Sequence, residues 1–165
     1  TASASAVIDF TTGISSTYDE YEVHIVAAVP ATNNSSLYMR VSEDGGSTFK
    51  AGATDYTNIQ NIIQGGVNNP SEANDVGINV GATCSSTASD GGWCGKVSIF
   101  TPSNATRKKM FKPSMGGHRS GTGMNDLTGT SRYNLTSNAI NAIRFLASAG
   151  NITSGDFYLY GVKKS

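Results

Sequence analysis

Hydrophobic and polar residues alternate along several short segments of this chain, with the two-residue period of a β-strand that buries one face. The clearest segment covers residues 20–29 and ends at Pro30, because proline cannot donate to a strand ladder. Its predicted inward side chains are Tyr21, Val23, Ile25, Ala27 and Val29. A second segment, 37–42, has the same period. It predicts Leu37, Met39 and Val41 inside, with Tyr38 and Arg40 outside.

Further alternating segments are separated by turns rich in Gly, Ser, Asn and Asp. They predict strands at 6–10, 75–82, 93–100, 107–112, 127–135, 142–148 and 156–162, and segment 56–63 is either a strand or an irregular excursion. Residues 50–73 are the least regular, 115–125 are typical of a Gly-rich loop, and 136–141 favour one helical turn. The short strands and frequent turns predict an all-β fold, an antiparallel two-sheet sandwich of the jelly-roll type with eight to ten strands. No break in composition divides residues 1–165, so a single β-sandwich domain is predicted.

Composition and charge narrow the class of protein. Charged residues make up only 15% of the chain, and 12 basic side chains balance 12 acidic ones. A nucleic-acid-binding protein needs a basic excess to neutralise phosphates, so no nucleic-acid partner is predicted. No apolar run approaches the roughly 20 residues of a membrane span, and no charged leader with an apolar core begins the chain. The first residue, Thr1, fits either a product that lost its initiator Met or a cut from a longer polypeptide.

The two cysteines, Cys84 and Cys94, flank a loop of Gly, Ser and Asp and would face each other across a hairpin. Opposed ladder positions bring Cβ atoms close to bridging distance, which favours a disulfide. The alternative is two small residues that stay reduced. A zinc site needs two further ligands, and His24 and His118 lie far from the pair in sequence. No metal site is therefore predicted.

The sequence contains no catalytic motif. It has no G-x-S-x-G elbow and no phosphate-binding loop, and no motif brings two carboxylates together on one strand face. A Ser-His-Asp triad would require His24, which lies mid-strand among carboxylates, or His118, in the Gly-rich segment. We therefore predict that the protein is not an enzyme, with no catalytic residue and no cofactor.

A basic cluster consists of Arg107, Lys108, Lys109 and Lys112, with Arg119 nearby. It is interpreted either as a site for an anionic glycan or, more commonly, as a solvated edge strand that lysines protect from aggregation. Aromatic residues with polar tips, Tyr158 and Tyr160 among them, suit sugar or subunit contacts, although core packing is the default for each. The predicted glycan or partner contacts are Tyr38, Tyr56, Trp93, Arg107, Lys109, His118 and Arg119.

Residues 42–49, with the sequence SEDGGSTF, match the S-x-D-x-G-x-T-aromatic pattern of the Asp-box turn found in sialidases. The pattern is a hairpin device, in which Asp44 accepts backbone N–H groups, Gly45 and Gly46 supply positive φ, and Phe49 packs beneath. It occurs once, and the chain is too short for a six-bladed propeller. It therefore predicts a hairpin and no glycosidase chemistry.

A series of short motifs, in order along the chain, resembles a domain that recurs in bacteriophage virion proteins. The motifs are ISSTYDEY (14–21), VPAT (29–32), LYMR (37–40), DGGSTF (44–49), FTPS (100–103), AINAIRF (139–145), SAGNITSG (148–155) and YLYGV (158–162). They cover both ends and much of the chain, and none is a catalytic signature. Neither the cysteine pair nor the basic segment 107–112 matches the family pattern.

The resemblance implies a tail, tail-fibre or minor structural protein of the virion, assembled in the host cytoplasm. Such a protein would be a jelly-roll-like β-sandwich in a tail or head fibre, or a capsid decoration. Its partners would be other virion proteins and copies of itself, with a homotrimer favoured, and its ligand a host-surface glycan. The alternative is a secreted bacterial carbohydrate-binding module or lectin, and a small glycan hydrolase is the weakest third.

Overall fold

The computed structural model describes residues 1–121 and 123–163. Within these ranges the chain forms strands, one short 3-10 turn at Ala88–Asp90 and no α-helix, so the predicted all-β class is confirmed. The strands are β1 (Ala2–Ser5), β2 (Ile8–Phe10), β3 (Glu20–Pro30), β4 (Ser35–Ser42), β5 (Tyr56–Gln64), β6 (Val67–Asp75), β7 (Ile78–Cys84), β8 (Trp93–Phe100), β9 (Met110–Arg119), β10 (Gly123–Tyr133), β11 (Ala142–Ala147) and β12 (Ile152–Val162). No helix in the described ranges is long and apolar enough to cross a membrane.

The strands form two antiparallel sheets that pack together as a sandwich. The large sheet has eight strands in the order β1-β12-β3-β8-β9-β10-β5-β6, and the small sheet has four in the order β2-β11-β4-β7. The pairing is nested, since β5 pairs with β6, β4 with β7, β3 with β8 and β2 with β11. A long hairpin folded across two sheets in this way is the arrangement of a jelly roll. Here the β9–β10 hairpin is inserted between β8 and β5.

An apolar core fills the space between the sheets. Many of its side chains are the inward residues that the alternation predicted in segments 37–42, 93–100 and 142–148. The fully buried side chains include Val23, Val97, Ile99, Leu37, Met39, Val41, Ile143 and Phe145. The largest is Trp93, whose indole N–H donates to the carbonyl of Ala82 at 2.7 Å. A Cβ on Gly81 would lie 2.9 Å from Trp93 Cδ1, so the ring requires glycine at that position.

The predicted alternation is wrong in the second half of β3. Ala27, expected inside, is exposed with φ of +50°, and the buried residues there are Ala28 and Val29. A β-bulge shifts the register between β3 and β12 at this point, and the extra residue exposes Ala27 and buries Ala28, while Val29 is buried as predicted. The bulge depends on Gly155, where a Cβ would come within 2.4 Å of Ala28 Cα.

Two long hairpins, β5–β6 and β9–β10, overlap the predicted strand segments 56–63, 107–112 and 127–135 but extend through 64–75 and 113–125, where an irregular segment and a Gly-rich loop were predicted. Polar residues take inward positions in these strands and mask the alternation. Asn58, Gln60 and Asn125 are buried, and each donates a side-chain N–H to a backbone carbonyl of β7 or of the residue before it. Because β7 is an edge of the small sheet, these amides satisfy carbonyls that no neighbouring strand reaches.

Three smaller predictions also differ from the structure. Residues 107–109 precede β9, and β9 lies between β8 and β10 instead of at an edge. Residues 136–141 form no helical turn, because the side chains of Thr136 and Asn141 donate to Glu43. Strands β1 and β6 were absent from the predicted set, since neither segment carries hydrophobic alternation, and the described ranges therefore contain twelve strands where eight to ten were expected.

Candidate interaction surface

Two of the predicted contact residues, Tyr56 and Trp93, are fully buried. The Tyr56 hydroxyl accepts the N–H of Val41 at 3.0 Å and donates to the carbonyl of Lys50 at 3.1 Å. The indole N–H of Trp93 donates to the carbonyl of Ala82 on β7, so it is not free for a ligand. Neither ring presents a face to a ligand. The prediction that Tyr56 and Trp93 contact a glycan or partner is therefore wrong, and both belong to the core.

Lys109 is also fully buried, which corrects its assignment as a surface contact. Its ammonium group donates to three backbone carbonyls, those of Arg107 at 2.6 Å, Ser137 at 2.8 Å and Asn104. Burial lowers the pKa of Lys109. The side chain therefore ties the loop before β9 to the loop after β10 and leaves no N–H for a ligand.

The other predicted contacts lie on separate surfaces. Tyr38 is half-buried on the small sheet, where burial raises its pKa to about 12. Arg107 is exposed in the loop before β9, and Arg119 is exposed at the end of that strand. His118 Nδ1 lies 3.6 Å from Asp90 Oδ2, within a half-buried pair. The structure brings no group of these residues together, so they define no common site.

Both cysteines are free thiols. Cys84 pairs with Ser35 in the small sheet, whereas Cys94 pairs with Gly116 in the large sheet. The two residues therefore do not oppose each other on one ladder, and the geometry that favoured a disulfide is absent. Burial raises the pKa of Cys84 to about 11, which keeps this thiol protonated at neutral pH.

The Asp-box-like segment forms the turn that its pattern predicts. Asp44 Oδ1 accepts the Ser42 hydroxyl at 2.6 Å and the Thr48 N–H at 2.9 Å. These hydrogen bonds lower the pKa of Asp44 to about 2. Gly45 and Gly46 have φ of +73° and +92°, the left-handed conformation expected of them.

This turn does not close a hairpin, which corrects the sequence prediction. The chain leaves β4 for the large sheet, and residues 47–55 contain no strand. Phe49 instead packs against β11, where the guanidinium carbon of Arg144 lies 4.1 Å from its ring centroid. The segment is a structural connection between the sheets.

Exposed apolar side chains concentrate on the face of the large sheet that points away from the small sheet, which we call the outer face. Ten large hydrophobic residues are exposed in the described ranges, and eight of them alternate outward from this face. Scattered exposed apolar residues are normal in soluble proteins, but a concentration on one face marks an interaction surface.

The outer face divides into two halves of different chemistry. The aromatic half consists of β12, β3 and β8 and carries Tyr158, Tyr160, Val162 and Val26. The aliphatic half consists of β9, β10, β5 and β6 and carries Met110, Met124, Ile59 and Ile63.

Glu22 lies at the centre of a polar cluster in the aromatic half. Its Oε1 accepts Lys96 Nζ at 2.5 Å and Ser98 Oγ at 3.3 Å, and its Oε2 lies 3.0 Å from His24 Nε2. The hydrogen bonds to His24 and Lys96 lower the pKa of Glu22, so the carboxylate is ionised at neutral pH. Only 20% of this side chain is exposed, so its position is fixed from several sides.

Two tyrosine rings flank this cluster. Tyr158 and Tyr160 are 46% and 51% exposed, and their ring centroids lie 6.5 Å apart with planes inclined by 31°. His24 contacts Tyr160 edge-on, with ring centroids 5.0 Å apart. In the strand register Tyr160 opposes Glu22 and Tyr158 opposes His24. Aromatic and polar groups are therefore direct neighbours on adjacent strands.

An open groove of about 440 Å³ runs from the polar cluster across the sheet to β10. The side chains that line it include Glu22, Lys96, Ser98, Lys112, Ser114 and Thr128. Carboxylate, ammonium and hydroxyl groups together provide both donors and acceptors. The groove can therefore hydrogen-bond a ligand that carries many hydroxyl groups.

Met110 lies at one end of the aliphatic half, where it lines two shallow depressions of about 310 and 200 Å³. Phe100 and Ile59 contribute further apolar lining, while Arg132 and Glu72 provide charge at the rim of the smaller depression. In the described ranges, no group of three or more His, Cys, Asp or Glu side chains is placed to hold a metal ion.

No family model, no curated protein and no solved structure matches this chain. The fold and its surface therefore define the class: a jelly-roll-like β-sandwich with a broad sheet face that its second sheet does not cover.

Sequence reasoning missed the residues that give this face its character, Glu22 and Lys96 in one half and Ile59 and Met110 in the other. The outward direction of the residues in 158–162 was readable from the two-residue period. What the period does not give is the register, which makes Glu22, His24 and Lys96 neighbours across β3 and β8.

Proposed function

We propose that this chain is a structural protein of a bacteriophage particle, a non-enzymatic β-sandwich displayed in a tail or head fibre or as capsid decoration. Support comes from a series of motifs that resembles a domain of virion proteins and covers both ends of the chain. A rigid sandwich whose outer face is open for contacts is consistent with such a role, because attachment requires a stable scaffold and an accessible surface.

The aliphatic half of the outer face is the observation that carries this proposal. Met110, Met124, Ile59 and Ile63 are between 40% and 67% exposed on adjacent strands. Burial of apolar surface contributes roughly 25 cal/mol per Å², so leaving this patch in water forgoes stabilisation that a protein contact would recover. In a particle, we assign this half to subunit assembly.

A second copy of the same chain is the partner that the charges favour. The outward charges of the aliphatic half are Lys112 on β9, Arg132 and Asp126 on β10, and Glu72 on β6, with Asp126 near Met124 at the opposite end of β10 from Arg132. When a second copy lays its β6 over β9 and β10 of the first, opposite charges meet on both sides of the contact. The resemblance to virion proteins favours a trimer among the homo-oligomers.

The test is the mass of the purified full chain in solution, together with its location. We expect multi-angle light scattering to give a defined multiple of 17.2 kDa, three in the favoured case. We also expect antibodies against the chain to label intact phage particles in electron micrographs. A strictly monomeric chain at high concentration would overturn the assembly proposal, and unlabelled particles would overturn the virion assignment.

The aromatic half favours a second candidate, a carbohydrate-binding module or lectin, because exposed tyrosines beside fixed polar groups suit a sugar. A secreted lectin would be found in culture medium without particles. Location therefore separates the two candidates, whereas sugar binding by itself does not.

A further inference from the structure

We propose that the aromatic half of the outer face binds a neutral oligosaccharide, with one sugar ring against Tyr158 and Tyr160 and its hydroxyls on Glu22 and Lys96. This inference rests on the proposed function only for the source of the ligand, a host-surface glycan. The site itself follows from the arrangement of the side chains.

The first element is an apolar platform. Tyr158 and Tyr160 project side by side from β12, and their rings are inclined by only 31°. About half of each side chain is exposed, at 46% and 51%. A sugar ring has one face of C–H groups that can cover such a surface, and tyrosine loses little conformational entropy when it is covered. The edge-on contact with His24 restrains Tyr160 further.

The second element is a prearranged set of hydrogen-bonding groups. Glu22 is already held by Lys96, Ser98 and His24, so it need not reorganise to accept a hydroxyl proton. The Lys96 ammonium has three N–H groups and uses one on Glu22, which leaves two for ligand oxygen atoms. Glu22 lies one strand from the tyrosines and Lys96 lies two strands from them, and adjacent strands are about 4.8 Å apart, close to the width of a sugar ring.

The third element is the continuation of the site along the groove. From the tyrosines on β12 to Lys96 and Ser98 on β8 the site crosses two strand spacings, about 10 Å at the usual separation, which is long enough for about two sugar residues. Beyond β8 the groove reaches Ser114 and Thr128, which oppose each other on β9 and β10, in the half assigned to the subunit contact. An oligosaccharide is therefore a better fit than a single sugar.

The charge balance selects a neutral ligand. Two carboxylates, Glu20 and Glu22, and two ammonium groups, Lys96 and Lys112, line the groove. An anionic glycan would gain from the lysines but meet the ionised Glu22 in the middle of the site. A neutral chain of hexoses uses both signs as hydrogen-bond partners without that repulsion.

The experiment applies the labelled full chain to an array of neutral hexose and N-acetylhexosamine oligosaccharides, with sialylated and sulfated oligosaccharides on the same surface. The variants are Tyr158→Ala, Tyr160→Ala and Glu22→Gln, and the matched control is Tyr38→Ala, a half-buried tyrosine on the small sheet. Circular dichroism and light scattering establish that each variant keeps its fold and its mass.

We expect binding to neutral oligosaccharides by the wild type, weakened about tenfold or more by each aromatic-half variant and unchanged in Tyr38→Ala. If one variant fails to fold, the remaining two decide. The sugar site is overturned by an array without signal for the folded wild type, by binding confined to anionic glycans, or by equal loss in Tyr38→Ala. It is also overturned if Tyr160→Ala changes the oligomer mass instead of sugar binding, which would make this half a subunit contact. None of these results alters the particle-labelling test, so failure of the sugar site and failure of the virion role remain distinguishable.

Discussion

The two halves of the outer face belong to one sheet, yet the free-energy cost of covering them with a partner differs. In the aromatic half, Glu22, His24 and Lys96 are bound to one another, and covering them with protein would remove charged groups from water at considerable cost. In the aliphatic half, Met110 and Ile59 line depressions whose burial costs little and gains apolar contact. One half therefore suits a hydroxyl-rich ligand that replaces water, and the other suits a protein surface.

The largest expected loss of stability comes from replacing Lys109, in the loop that precedes β9. The variant Lys109→Met keeps the length of the side chain but leaves three carbonyls without their ammonium donor. We expect a loss of about 3 kcal/mol in the free energy of unfolding, because hydrogen bonds to a buried charge are lost together. Urea denaturation measures it. The control, Lys112→Met on the same strand region, is exposed and should change stability by less than about 0.5 kcal/mol. Equal effects for both variants would contradict the role assigned to Lys109.

The next prediction sets one half directly against the other. A carboxylate introduced by Ile59→Glu would replace apolar surface in the proposed subunit contact and lie directly opposite Glu72 in the strand register, so we expect self-association to weaken about a hundredfold. The matched variant Val26→Glu places the same charge on the aromatic half and should leave the mass unchanged. Light scattering across a dilution series measures both. If Val26→Glu dissociates the oligomer and Ile59→Glu does not, the assignment of the two halves is reversed.

The contrast between the halves also explains what the sequence could and could not predict. Strands β4, β8 and β11 were readable because their inward residues, such as Met39, Val97 and Phe145, are all apolar. The β5–β6 and β9–β10 hairpins were only partly readable, because β6 and the Gly-rich end of β9 carry no apolar alternation, and Asn58, Gln60 and Asn125 take inward positions in β5 and β10 where the pattern requires apolar residues. Those amides are inward for a reason that only the tertiary structure supplies, the free edge of β7.

The sequence did not predict the candidate site, for a related reason. Tyr56, Trp93 and Lys109 have the residue types of a contact surface, but their neighbours in space bury them. Glu22 and Lys96 are 74 positions apart in the sequence and become partners only through the β3–β8 register. Residue type and period therefore predict which way a side chain points, and they do not predict what lies opposite.

A smaller effect concerns the pH dependence of the aromatic half. The folded-state pKa of Glu22 lies below the ordinary value of 4.5, so the cluster stabilises the fold above that value and loses this contribution as the pH falls through the lower folded-state value. We expect Glu22→Gln to be less stable than the wild type by about 1 kcal/mol near neutral pH, with the difference shrinking in acid. Urea denaturation at a series of pH values measures it. The control is Glu72→Gln on the aliphatic half, where the carboxylate has no hydrogen bond or ion pair among the described residues. A difference that stays constant with pH would show that the charge of Glu22 is not responsible.

The smallest expected effect tests the charge pairing across the aliphatic half. Exposed ion pairs contribute between 0 and about 1 kcal/mol, so reversing Glu72 to Lys should weaken self-association by no more than about fivefold. The double variant Glu72→Lys with Lys112→Glu restores opposite charges in the proposed contact and should recover the wild-type dissociation constant. At about 1 M salt, where the screening length is only about 3 Å, all three proteins should associate equally. Analytical ultracentrifugation at low and high salt resolves differences of this size. Two results would contradict the placement of β6 over β9 and β10 of the second copy: a double variant that associates no better than Glu72→Lys, or a difference between the two that salt leaves unchanged. Neither result would contradict a subunit contact through the exposed apolar residues.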